Sequence, residues 1–152
     1  MVKVTKIGSN DSKILNEKHA ATPNAFIAVT HPDCGHCKVM KPELNDLYDN
    51  LENYSGDVGI FDIHADAVPG SLTTIPQLES VKGFPTLMIT KKDKTTPVIY
   101  DGNRTTNDML EFCLKNMDLE KNLKGGKKRT RKTRRRKNKR KRRTRKRRSR
   151  RR

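Results

Sequence analysis

Apolar and polar residues follow two distinct periods along the first 122 residues of the chain. Residues 2–7 alternate with period two, as in a short strand, whereas residues 25–29 form a continuous apolar run typical of a strand covered on both faces. From residue 34 onward, apolar side chains recur every three or four positions, which predicts a long amphipathic helix. The pattern therefore indicates strands and helices packed in layers, as in an α/β protein.

The predicted elements follow one another in the order βαβαβ(α)ββα. Strands are predicted at residues 2–7, 25–29, 58–63, 86–90 and 98–100, and helices at residues 13–20, 34–51, 77–80 and 106–117. The last two strands form a hairpin whose polar turn covers residues 91–96. We expect one mixed sheet flanked by helices, with residues 25–29 as a central strand.

Two of the predicted helices carry an informative pattern. Pro42 lies inside the second helix, where the missing N–H and the ring are expected to kink the axis without ending it. The last helix carries Leu110, Cys113, Leu114 and Met117 on one stripe, which is expected to be buried.

The positive charge of the chain lies almost wholly at its C-terminal end. The formal net charge is +18, yet 22 of the 29 residues from 124 to 152 are Lys or Arg and none is acidic. Residues 127–152 contain no apolar residue, so nothing can be buried against an ordering cost of about 1 to 2 kcal/mol per residue. We therefore expect a folded domain at residues 1–122 and a disordered, Lys/Arg-rich tail at residues 123–152.

The composition of this tail favours contact with a polyanion. Each phosphate that a basic side chain neutralises releases condensed counterions, so binding should weaken steeply with salt. The tail has no aromatic residue on which bases could stack, which leaves no means of reading a sequence, so we expect non-specific binding. A nuclear-localisation signal or a tether to an acidic protein would have the same composition. The candidate nucleic-acid-binding residues are Lys127, Lys128, Arg129, Arg131, Arg134, Arg135, Arg136, Arg140, Arg142, Arg143, Arg147 and Arg148.

Hydropathy and cysteine content indicate the compartment. No apolar run approaches the roughly 20 residues that a membrane-spanning helix needs, so no membrane partner is expected. Residues 1–6 alternate where a secretory signal would have a continuous apolar stretch. The expected compartment is therefore reducing, and a closely spaced Cys pair there is more often catalytic or metal-binding than a structural bridge.

Cys34 and Cys37 lie at the predicted junction between the central strand and the second helix. Residues three apart share a face of a helix, so the two sulfurs can come within bonding range, with Cys34 exposed and Cys37 recessed. Unpaired N–H groups and the positive end of the helix dipole favour the thiolate of Cys34, which is the attacking species. His36, when protonated, adds a charge that stabilises the dithiol and favours donation of disulfides.

A Cys pair of this spacing is also half a zinc site. His31, His36, His64 or Cys113 would have to complete it, but the chain has no second Cys or His pair. We therefore expect no metal and no cofactor. Cys113 is most simply a small buried apolar residue, and His31 and His64 are expected to be surface or turn residues.

Three motifs occur in separate elements of the predicted fold. Residues 34–38 are CGHCK, followed by Pro42 and Glu43; residues 81–87 are VKGFPTL; and residues 100–105 are YDGNRT. In that order they resemble the active-site helix, the proline-bearing strand and the turn before the last helix of protein disulfide isomerase domains in the thioredoxin superfamily. The resemblance spans residues 1 to about 122 and implies a thioredoxin fold.

The resemblance also implies roles for individual residues. Cys34 would be the attacking thiol and Cys37 the resolving thiol. Pro85 would follow a cis peptide bond and leave the backbone of Phe84 open to pair with an extended substrate. Arg104 would approach the resolving cysteine and lower its pKa by charge attraction.

Two positions depart from the family pattern. The family usually has an acidic residue on the strand six positions before the attacking cysteine, where it relays a proton from the resolving thiol, and here that position is Ala28. Proton transfer would have to pass through water or another group, so resolution is expected to be slow. The residue before the motif is commonly Trp, and here it is Asp33, whose carboxylate is expected to disfavour the Cys34 thiolate.

These features predict a thiol-disulfide oxidoreductase with a tail that tethers it to nucleic acid or an acidic assembly. Its partners would be protein dithiols and disulfides, and a thiol oxidase or reductase that recharges the site. The alternative is a redox-inert adaptor with a nucleic-acid-binding tail, a reading that Ala28 and Asp33 motivate. The arrangement also resembles thioredoxin-like proteins of large DNA viruses, which implies a location in the virion or in host cytoplasm or nucleus.

Overall fold

A computed structural model describes residues 2, 4–22 and 24–121 of the chain. Its strands and helices are, in chain order, β1 (Val4–Ile7), α1 (Ser12–Ala21), β2 (Ala25–Thr30), α2 (Gly35–Leu51), β3 (Tyr54–Ser55), β4 (Gly59–His64), β5 (Thr86–Lys91), β6 (Lys94–Ile99), α3 (Thr106–Asn116) and β7 (Glu120–Lys121). Three short 3-10 turns, at Ala65–Ala67, Pro69–Ser71 and Pro76–Ser80, join β4 to β5. The last of these turns coincides with the short helix predicted at residues 77–80.

Five strands form one mixed sheet in the order β1-β4-β2-β5-β6. β1 and β2 both run parallel to β4, whereas β5 runs antiparallel to β2 and β6 antiparallel to β5. β2 is the third of the five strands, and its central position explains why residues 25–29 are all 0% exposed. Their continuous apolar run predicts this burial. Within the described residues, β6 is an edge strand with no further strand beside it, a position in which a proline such as Pro97 is tolerated.

Helices cover both faces of this sheet and enclose two layers of apolar side chains. The layer under α2 and α3 includes Met40, Leu44, Leu47, Leu51, Met109, Cys113 and Met117. The layer on the opposite face includes Leu15 of α1 and Ile75 and Leu78 of the segment between β4 and β5. The predicted architecture, a mixed sheet flanked by helices, is therefore confirmed.

α2 continues through Pro42 from Gly35 to Leu51, as predicted. Pro42 has no N–H to offer to the carbonyl of the preceding turn, but the buried face on both sides of it holds the helix together. Glu43, the next residue, accepts a hydrogen bond from the backbone N–H of Thr106 at 2.7 Å. This bond joins the middle of α2 to the first turn of α3.

Several local predictions were wrong. The hairpin turn covers only residues 92–93, because β5 extends to Lys91 and β6 begins at Lys94. Leu114 is 39% exposed, because it lies about 100° around α3 from Cys113, and Met109 takes its place in the core. β1 begins two residues later than expected, and β3 and β7, which pair antiparallel, were not predicted.

No helix in the part of the chain that the structure describes has both the length and the apolar character needed to cross a bilayer. The predicted tail at residues 123–152, with all its candidate nucleic-acid-binding residues, lies outside the described residues. The boundary between residues 122 and 123 therefore stays a prediction.

Candidate active site

Cys34 lies at the junction between the central strand and the long helix. β2 ends at Thr30, and a short turn leads to Cys34, whose φ of −80° and ψ of 116° are the extended backbone of a helix N-cap. Its N–H donates to the carbonyl of His31 at 3.2 Å, and its own carbonyl accepts from the N–H of Lys38 at 3.1 Å. The sulfur is therefore close to N–H groups that have no partner within α2.

The two sulfurs of the motif lie close together but differ in exposure and acidity. Cys34 is half-buried, Cys37 is only 6% exposed, and both are free thiols. A hydrogen bond from the side chain of Cys37 lowers the pKa of Cys34, and the backbone N–H groups of Cys37 and His36 lower it further. Burial raises the pKa of Cys37. The more accessible thiol is therefore the more acidic one, as predicted.

Phe84 and Pro85 face Cys34 from the segment that leads into β5. The peptide bond between them is cis, as the resemblance implies. The Cys34 thiol donates a hydrogen bond to the carbonyl oxygen of Phe84 at 3.3 Å. The ring of Phe84 is 40% exposed and stacks on His31, with ring centroids 5.7 Å apart. The dithiol and proline motifs, 50 residues apart along the chain, thus meet in space.

Three further predicted contributions to the thiol pKa values have different outcomes. The charge of Arg104, on the loop before α3, lowers the pKa of both Cys34 and Cys37, although other causes act more strongly on each. Asp33 is exposed, and the causes that shift the pKa of Cys34 among the described groups do not include its charge, so its expected effect stays a prediction. His36 acts here through its backbone N–H, and the role of its imidazole stays a prediction.

Cys113 belongs to the core and not to the group around Cys34. It is fully buried, and burial raises its pKa to about 12, as suits a small apolar residue. His31 and His64 have ring centroids 5.9 Å apart and line a cavity beside Cys37. Within the described residues, no three His, Cys, Asp or Glu side chains are grouped so that they could hold a metal ion.

One protein family matches this arrangement over most of the chain. The family model described as Thioredoxin aligns with residues 4–115. The chain belongs to the thioredoxin family. The aligned span of this thioredoxin-family chain contains all the predicted catalytic residues, which are Cys34, His36, Cys37, Pro85 and Arg104.

Relatives of this thioredoxin-family chain include proteins named protein disulfide-isomerase. One from Schizosaccharomyces pombe is 34% identical over 100 residues, which cover 65% of this chain and 19% of that protein. Protein disulfide-isomerase erp38 of Neurospora crassa is 33% identical over 118 residues, which cover 73% of this chain and 31% of that protein. The chain therefore spans less than a third of the length of these relatives.

A solved structure confirms the fold. The first thioredoxin domain of mouse protein disulfide-isomerase A4 superposes with a TM-score of 0.56 at 23% sequence identity. The match covers 74% of this chain and 72% of that one. The predicted thioredoxin fold is thus confirmed for the part of the chain that the structure describes.

Two groups beside the dithiol were not predicted. The first is the stack of His31 on Phe84, since His31 was expected only at the surface or in a turn. The second is Asp62 of β4, which lines a cavity together with Cys37. The only sequence signal for Asp62 is that a charged residue interrupts an otherwise apolar strand.

Proposed function

We propose that this thioredoxin-family chain is a thiol-disulfide oxidoreductase that acts on protein disulfides and dithiols through Cys34 and Cys37. The observation that carries the proposal is the opposite shift of the two neighbouring thiols, with the pKa of Cys34 lowered and that of Cys37 raised. One sulfur is thereby prepared to attack and the other is held back as a thiol. The relatives named protein disulfide-isomerase support this class of reaction.

The exchange proceeds in two steps. The Cys34 thiolate attacks one sulfur of a substrate disulfide, and the other substrate sulfur leaves as a thiolate that takes up a proton. Cys37 then loses its proton and attacks the Cys34 sulfur, so the bond to the substrate breaks and a Cys34–Cys37 disulfide forms. Two electrons and two protons pass to the substrate. The oxidised pair performs the reverse exchange with a substrate dithiol, and a thiol oxidase or reductase resets it.

The backbone next to Pro85 supports an extended protein segment as substrate. The carbonyl of Phe84 lies 3.3 Å from the Cys34 sulfur, so a strand that pairs there brings its own disulfide to the reactive thiol. The exposed ring of Phe84, stacked on His31, adds apolar contact area. Main-chain pairing makes few demands on side chains, which favours a broad range of protein substrates.

Cysteine variants of the full-length chain test this function by reduction of insulin. Cys34→Ser should abolish activity, whereas Cys37→Ser should still attack and then remain joined to the substrate as a mixed disulfide, detectable by mass spectrometry. Cys113→Ala is the matched control and should retain activity, because Cys113 is buried in the core. Unchanged activity of Cys34→Ser would refute the assignment.

The basic tail gives the chain a second and separable property, non-specific binding to nucleic acid. The 22 Lys and Arg residues between 124 and 152, with no acidic residue among them, support it. Deletion of residues 124–152 should abolish retention on DNA or RNA and leave dithiol exchange intact. Equal retention of the shortened chain at low salt would contradict the tail as the anchor.

The second candidate function is a redox-inert adaptor, and Ala28 is the observation that favours it. Titration of the Cys34 thiol discriminates between the two functions. An unshifted pKa near 8.5 would favour the adaptor, whereas a lowered pKa favours the oxidoreductase.

The location of the protein is a separate proposal. The basic tail and the resemblance to thioredoxin-like proteins of large DNA viruses support the virion, or the host cytoplasm or nucleus. Mass spectrometry of purified virus particles tests this, and absence from the particles would contradict a virion location.

A further inference from the structure

The carboxylate that is missing from β2 occurs on the neighbouring strand. Ala28 of β2 pairs directly with Asp62 of β4 in parallel register. Paired residues on adjacent strands point to the same face of a sheet, and Ala28 belongs to the layer that includes Leu44 of α2. Phe61 and Ile63, on either side of Asp62, belong to the opposite layer. Asp62 therefore points toward α2, the helix that carries the dithiol.

Asp62 and Cys37 line the same cavity. Its volume is about 290 Å³, enough for several water molecules at about 30 Å³ each. Asp62 is half-buried, and within the described residues no protein group donates a hydrogen bond to its carboxylate and no cation forms an ion pair with it. A carboxylate in such a place must be hydrated, because leaving it without a donor is costly. Water in the cavity can thus connect Asp62 to Cys37.

The surroundings of Asp62 make it a stronger base than an exposed aspartate. Burial raises its pKa, and the charges of Lys6 on β1 and Lys41 on α2 partly oppose this. The other titratable groups that face Asp62 or line the cavity are Lys38 and Tyr48 of α2, His31 after β2 and His64 of β4. Asp62 is the one carboxylate among the residues that line this cavity within the described part of the chain.

We propose that Asp62 accepts the proton of the Cys37 thiol, through water in the shared cavity, when Cys37 resolves the mixed disulfide. This inference rests on the proposed oxidoreductase function. As the proton passes to the carboxylate, the Cys37 sulfur bonds to the Cys34 sulfur, and the substrate sulfur leaves with the electron pair of the broken bond. In the reverse direction protonated Asp62 returns the proton to Cys37. β4 thus supplies the acid–base group that Ala28 leaves out of β2.

A small aromatic disulfide that releases a coloured thiolate separates the two exchange steps in the full-length chain. Attack by Cys34 releases the first equivalent and leaves a mixed disulfide, and attack by Cys37 on Cys34 releases the second. Cys113 is 0% exposed and takes part in neither phase. The first phase reports on attack by Cys34 and the second on Asp62, whereas circular dichroism of each variant reports on its folded state.

Asp62→Asn should leave the first phase unchanged and slow the second at neutral pH by at least about tenfold, a modest fraction of what positioned bases contribute. In the native chain the second-phase rate should rise with pH in two steps, first as Asp62 loses its proton and then as Cys37 does. The first step should vanish in Asp62→Asn and persist in Asp62→Glu.

A carboxylate that acted only through its charge would have the opposite effect, since its removal would lower the pKa of Cys37 and accelerate the second phase. Asp46→Asn removes the same charge from an exposed site on α2 and should change neither phase. A second phase in Asp62→Asn that is as fast as in the native chain, with the same pH profile, would overturn the inference. Absence of the first phase in the native chain would instead refute the oxidoreductase function.

Discussion

Leu47 lies on the face with which α2 packs onto the sheet and is 0% exposed. It shares its core layer with Leu44 and Leu51. Its position is ten residues from Cys37, or about 15 Å along the helix axis at about 1.5 Å per residue. Leu47→Ala therefore removes packing without touching the groups that set the pKa of Cys34. We expect it to destabilise the fold and to leave the chemistry of folded molecules unchanged.

The size of this destabilisation follows from the burial of Leu47. The substitution removes three carbon groups, worth about 2.4 kcal/mol at about 0.8 kcal/mol each. The cavity left under α2 adds to this, because the surrounding strands and helix relax only partly. We therefore expect the free energy of unfolding to fall by about 3 to 4 kcal/mol. For a domain of this size the melting temperature should drop by about 10 to 15 °C.

Urea unfolding followed by circular dichroism measures the loss, and the alkylation rate of Cys34 under native conditions measures the chemistry. Val39→Ala is the matched control on the same helix, because Val39 is 80% exposed and should change stability by less than about 0.5 kcal/mol. A loss below about 1 kcal/mol for Leu47→Ala, or an equal loss for Val39→Ala, would show that α2 does not pack through this face.

Three further predictions concern titrating groups. Burial lowers the pKa of His19 below its ordinary value of 6.5, so the free energy of unfolding should fall as the pH drops from 6.5 toward the lowered folded-state pKa. Denaturant titrations at several pH values should show that this free energy depends less on pH in His19→Gln. Hydrogen bonds from Thr106 lower the pKa of Glu43, so Glu43→Gln should destabilise the fold above pH 4.5. The loss of stability should shrink as the pH falls through the folded-state pKa of Glu43, and an equal loss at all pH values would contradict this. Arg104→Gln should raise the pKa of Cys34 and slow the alkylation of Cys34 at pH values below that pKa. The decrease in rate should be larger at low salt than at high salt, and Arg104→Lys should retain most of the native rate.

Features that repeat within one element are the ones that the sequence predicts well. The continuous apolar run predicts the central position of β2, and the spacing of apolar residues predicts α2 through Pro42. The contact between Cys34 and Phe84 lies beyond any periodicity, because 50 residues separate them. It was expected only because the motifs resemble those of a family in which the two segments meet.

Features that depend on neighbouring elements were predicted poorly. β6 is an edge strand, and its first three residues are polar and exposed, so they resemble a turn although Lys94 pairs with Lys91 of β5. Leu114 is apolar but lies just outside the face that α3 turns toward the core. β3 and β7 have two residues each, and a period of two cannot be recognised in a segment of that length.

Asp62 shows the same limit at the candidate site. A charged residue in the apolar strand at residues 58–63 is unfavourable there by itself, and this is the signal that singles out Asp62. Its place beside Ala28 follows from the parallel pairing of β2 with β4, and no local pattern contains that register. When the chain is compared with the family pattern position by position, all that is visible of this acidic group is that Ala28 stands where the family usually has an acidic residue. What matters for a proton acceptor is its place in space relative to Cys37, however, and an adjacent strand can supply a carboxylate there as well as the strand that lacks it.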